Sequence, residues 1–141
     1  MSYSLGKKIL WYASIIILLA GIIHLWLPGT SKEFFLTYKN SYYIVNNLHL
    51  TIFLSGLNLA LGSGYFLLQD QKIKNAPLIS SVHIIITILT SLGSWIMGFL
   101  LNKSSLEYLS LYSNIFLLFI TTLLIAQLLY FFSLIKILAG K

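Results

Sequence analysis

Cysteine and arginine are both absent from these 141 residues, and the only acids are Glu33, Asp70 and Glu107. Without cysteine there are no disulfides, thiolate metal sites, iron–sulfur clusters or cysteine nucleophiles. Without arginine, the bidentate fork that reads phosphates and base edges is missing. The net charge of +6 comes from nine lysines scattered over ends and loops, so nucleic acid is not an expected partner. No HExxH, Ser/His/Asp set or glycine-rich phosphate loop is present. No carboxylate falls inside an apolar run, which removes paired-acid catalysis, and the chain is not expected to be an enzyme.

Charged residues make up 9% and hydrophobic ones 58%, and the mean hydropathy is +0.90. A soluble domain would carry roughly a quarter charged residues, so the expected solvent is a lipid bilayer. A hydrocarbon core of about 30 Å needs about 20 apolar residues as a helix. Four runs qualify: Ile9–Leu27, Ile44–Leu68, Leu78–Leu101 and Leu109–Leu138. They predict one all-α domain, an integral membrane four-helix bundle over residues 1–141. The first run is 19 residues long with no small-residue cleavage site after it, so it is expected to be retained. Lys136, late in the fourth run, can reach the headgroups. The short connection Gln69–Pro77 predicts antiparallel neighbours in spans two and three.

Lysine counting sets the expected orientation. Lys7, Lys8, Lys72, Lys74, Lys136 and Lys141 fall on one side, and Lys32, Lys39 and Lys103 on the other. Six against three predicts both termini in the cytoplasm and a multi-pass protein of the cell inner membrane. The one long loop, Pro28–Tyr43, carries Phe34, Phe35, Tyr38, Tyr42 and Tyr43, and is expected as a short amphipathic piece in the outer interface.

Helices in lipid associate through small residues that let backbones approach. Gly56, Ala60 and Gly64 recur every four residues in span two, and Ser91, Ser94 and Gly98 mark span three. This spacing predicts close contact between spans two and three.

Polar residues inside spans are costly and are functional hypotheses. They are His24, Asn46, Asn47, His49, Asn58, His83, Asn114 and Gln127, and they include all three histidines. Histidine in a lipid-embedded bundle serves as interhelical hydrogen-bonding glue or as an axial ligand of heme iron. His24 and His49 fall at similar depth near the outer end of the bundle. His83 falls roughly 15–20 Å away along the normal, so it cannot share their iron within one chain.

The stretch Asn47-Leu48-His49-Leu50, followed by Thr51–Gly62 and Tyr65, resembles the second span of heme–copper oxidase subunit I, particularly the C-family type. The likeness covers about residues 9–101 and extends to small four-span bacterial proteins labelled oxidase-subunit-I-like. It implies heme b as cofactor, with His49 as an iron ligand and His83 matching the third-span histidine of those proteins. His24, or a histidine of a second subunit, would complete the heme-iron ligands, and the Gly56/Ala60/Gly64 face would leave room for the porphyrin. Asn47 stands where that pattern carries the first histidine of a pair, and the later oxidase spans are absent, so the chain is not an oxidase by itself. Two functions therefore stand side by side. One is a heme-b protein for electron transfer or redox sensing. The other is a non-enzymatic scaffold or accessory subunit that docks on another integral membrane protein as part of a larger complex, a reading that a stable isolated homo-oligomer would count against. A transporter is a weaker third, requiring Asn58 and Gln127 to face inward.

Overall fold

The computed structural model describes residues 3–27, 31–39, 41–68, 77–103 and 106–139. Four helices and one hairpin follow in the order α1 (Tyr3–Trp26), β1 (Glu33–Tyr38), β2 (Ser41–Asn46), α2 (Asn47–Leu68), α3 (Pro77–Lys103) and α4 (Leu106–Ala139). The 69–76 connection, the Pro28-Gly29 exit and the side chain of Lys136 lie outside the described residues.

Three helices contain segments long and apolar enough to cross a bilayer: Lys8–Trp26 in α1, Ser80–Lys103 in α3 and Tyr108–Phe132 in α4. In lipid the backbone must satisfy its own polar groups. Runs rich in β-branched residues such as Ile15–Ile17 and Ile84–Ile86, poor helix formers in water, are therefore helical here. Pro77 opens α3 at the position where its missing N–H has no consequence. Asn46 caps α2: its Oδ1 accepts from Leu48 N at 2.9 Å and His49 N at 3.4 Å.

The expectation of a purely α fold needs correction. Residues 33–38 and 41–46, expected as an amphipathic loop running into span two, form an antiparallel two-stranded sheet. Its register runs from Glu33 opposite Asn46 to Tyr38 opposite Ser41. Consequently α2 starts at Asn47, three residues later than the apolar run suggested. The physical reason is a period-two pattern in β1. Phe34 and Leu36 are buried while Glu33 and Phe35 are exposed. Phe34, 1% exposed, meets Phe116 edge-on at 5.4 Å. It also lies against Gly98, where an added Cβ would be 3.2 Å from its ring.

The helices pack as two pairs, α1 along α2 and α3 along α4. Ser14 and Ser55 lock the first pair reciprocally: Ser14 Oγ donates to Ser55 O at 2.9 Å, and Ser55 Oγ donates to Ser14 O at 3.1 Å. Gly21 makes room for Thr51 in the same seam. In the second pair, Gly93 faces the Phe119 ring. The close contact expected between spans two and three is thin by comparison. Gly56 and Ala60 face outward, and an added Cβ on Gly56 meets nothing within 4 Å. Where α2 and α3 do meet, polar side chains join them: Asn58 Nδ2 donates to Ser91 Oγ at 3.0 Å, and Trp95 Nε1 to Thr51 Oγ1 at 3.3 Å.

The buried core divides along the bundle. Ile17, Leu50, Leu54, Leu109, Phe116 and Leu123 surround Phe34 and Leu36 at the hairpin end. Leu10, Leu61, Tyr65, Ile84 and Tyr130 fill the opposite end, with Leu57 touching both groups.

Candidate functional site

His83 is fully buried near the start of α3, and three polar side chains converge on it. Tyr65 of α2 lies 2.7 Å from its Nδ1 through the phenol oxygen. Thr87 Oγ1 is 3.2 Å and Gln127 Oε1 3.4 Å from its Nε2. Gln127 donates its own Nε2 to Leu123 O at 3.0 Å, which orients the amide. A carboxamide oxygen only accepts, so Nε2 of His83 carries the proton and Nδ1 accepts from the Tyr65 hydroxyl. Tyr130 stacks on the imidazole at 5.4 Å and meets Tyr65 edge-on at 5.3 Å. Gly64 makes this possible, because a Cβ there would collide with the Tyr130 hydroxyl. Three helices thus converge on one imidazole whose two nitrogens both have hydrogen-bond partners.

The other two histidines lie towards the hairpin end. His24 is buried on α1, with its ring edge-on to Phe99 of α3 at 5.3 Å. His49 is exposed on the outward face of α2, which it shares with Ile52, Phe53, Gly56 and Ala60. Their levels match as the sequence predicts, since Gly21 and Thr51 touch just below them. Their directions do not match, because one imidazole points into the bundle and the other away from it. A heme held between His24 and His49 of one chain does not fit this arrangement. Among the described residues no group of three or more His, Cys, Asp or Glu side chains is placed to hold a metal ion.

The remaining polar residues singled out in the sequence have separate places. Asn46 is the helix cap. Asn47, which occupies the first-histidine position of the oxidase-like pattern, ties the hairpin base down: its N donates to Lys32 O at 2.9 Å and its Nδ2 to Ser31 O at 3.1 Å. Asn102 of α3 donates to the same Ser31 carbonyl at 3.2 Å. Asn58, fully buried, donates to Leu54 O and Ser91 Oγ, and its Oδ1 has no hydrogen-bond partner. Asn114 is exposed on α4 beside the hairpin.

Sequence reading missed Tyr65, Thr87 and Tyr130 as members of the His83 cluster, and the Ser14–Ser55 lock. A signal for part of this was present in α3. Ser80, His83, Thr87, Ser91, Ser94 and Gly98 recur at intervals of three and four, and all are buried. That stripe is the inward face of the helix.

Compared with protein-family models, curated proteins and solved structures, the chain matches none, so the likeness to oxidase subunit I rests on residues 47–65 and their surroundings alone.

Proposed function

We propose that this chain is a small non-enzymatic membrane protein that works by docking on another integral membrane protein through the outward face of α2. In this reading α2 is a fourth crossing, and both termini lie on the cytoplasmic side of the cell inner membrane, as six lysines against three favour. One observation carries the docking: Gly56 stands exposed in mid-helix with open space around it. A glycine there costs about 1 kcal/mol relative to alanine and fits nothing in its own chain. With Ala60 one turn on, it forms the kind of small-residue face that lets a second helix approach closely.

The test is Gly56→Leu in the full chain, followed by native electrophoresis in a mild detergent. The expected result is loss of the larger assembly, with helix content and unfolding of the chain itself unchanged. Wild-type migration of the variant would refute the reading.

A second reading keeps heme b, for electron transfer or redox sensing, and is favoured by the position of His49 on that same exposed face. Two copies apposed through α2 would bring two His49 imidazoles to one interface, the ligand set of a bis-histidine heme. It predicts a Soret band with sharp reduced α and β bands, lost in His49→Ala. A featureless spectrum from chain expressed with added heme leaves docking alone.

A further inference from the structure

At the hairpin end an open groove of about 590 Å³ separates the hairpin tip from the first turns of α4. Thr37, Tyr38, Lys39 and Tyr42 line one side, and Ser110 and Asn114 the other. No acid lines it. With Ser41, five hydroxyls and one carboxamide stand beside the Lys39 ammonium among the described lining residues. The Lys39 ammonium lies 5.5 Å from the centroid of the Tyr38 ring, which holds it at the rim. Lys39 has φ of 45°, the left-handed conformation that a tight hairpin turn demands, so the turn fixes where that lysine projects. Thr37 Oγ1, in the wall, is hidden from solvent and has no hydrogen-bond partner.

The depth of the groove narrows the ligand. Exposed Trp26, Tyr38, Tyr42, Tyr43 and Tyr108 ring this end of the bundle, the aromatic belt of a membrane interface, which puts the groove at headgroup level. Leu118 and Ile125, both exposed, follow Ser110 and Asn114 down one helix face.

We infer that this groove binds the phosphate ester of an anionic phospholipid headgroup of the phosphatidylglycerol type. Lys39 pairs with the phosphate, the hydroxyls and Asn114 bond its oxygens and those of the glycerol, and one acyl chain runs along Leu118 and Ile125. A soluble glycerol phosphate offers the same polar chemistry without the chain.

The experiment is native mass spectrometry of the detergent-released full chain, titrated separately with phosphatidylglycerol, phosphatidylcholine and glycerol 3-phosphate. Phosphatidylglycerol is expected to bind most tightly. Lys39→Gln should weaken it about fivefold, and Asn114→Leu should weaken it as well. Lys32→Gln, at an exposed lysine by the hairpin base and outside the groove, should leave it unchanged. Circular dichroism of each variant checks that the helices are intact. Equal affinity for the two lipids, or equal loss in Lys32→Gln and Lys39→Gln, would overturn the inference by reducing the effect to general surface charge. Glycerol 3-phosphate binding as tightly as phosphatidylglycerol would overturn the lipid as source.

Discussion

The two ends of the bundle are held together by different means. At the hairpin end, β1 is fastened by backbone and carboxamide bonds and by one large ring: Asn47 and Asn102 on Ser31 O, Thr37 N on Ser113 Oγ at 3.0 Å, and Phe34 in the apolar cluster. At the opposite end α2, α3 and α4 meet on the side chain of His83. The first arrangement spreads its contacts over many groups. The second concentrates them on one imidazole. Burial of apolar surface stabilises a segment lying at the membrane edge, whereas within the hydrocarbon a polar side chain has no competing water and becomes the specific link.

The largest expected effect tests the hairpin end. Phe34→Ala should cost about 3 kcal/mol, measured by unfolding in mixed detergent micelles, and a loss under about 1 kcal/mol would mean that the hairpin is not anchored by its ring. Next comes overpacking at the opposite end. Gly64→Ala should cost about 1–3 kcal/mol, and Tyr130→Phe, which removes the colliding hydroxyl, should relieve part of it in the double variant. If the two changes are simply additive, Gly64 is not what seats Tyr130.

His83→Leu should cost about 1–2 kcal/mol. Adding Tyr65→Phe should then cost little more, because the phenol has already lost its acceptor. Additivity in that cycle would dissolve the cluster as a unit. Asn47→Ala should cost about 1 kcal/mol and expose the hairpin to protease, while helix content stays as in the wild type. The smallest effect belongs to neither end: Gly56→Ala should shift the stability of the isolated chain by no more than about 0.5–1 kcal/mol, towards stabilisation.

The sequence made the helices legible because each apolar run is close to bilayer length, and three of the four qualify again in the structure. The hairpin was not legible. Its strands are only six residues each, and the aromatic richness of Phe34–Tyr43 reads equally as an interfacial belt. Span two was read three residues too long because Ile44 and Val45 are as apolar in a strand as in a helix. Glycine spacing found the small-residue face of α2 but not its direction. Gly56 and Ala60 of that stripe face outward, whereas Gly64 meets Tyr130 inside the bundle. The histidines were found by rarity alone. Whether they converge depends on helix rotation, which neither hydropathy nor depth specifies.

The inward stripe of α3 also bears on how the chain is made. The pairs α1–α2 and α3–α4 have their own seams, so each can close as it leaves the ribosome and enters the bilayer. Until they meet, Asn58, Tyr65, His83 and Ser91 face hydrocarbon without their partners across the α2–α3 boundary. A half-assembled molecule thus displays a polar seam in the membrane, and docking of the pairs removes it.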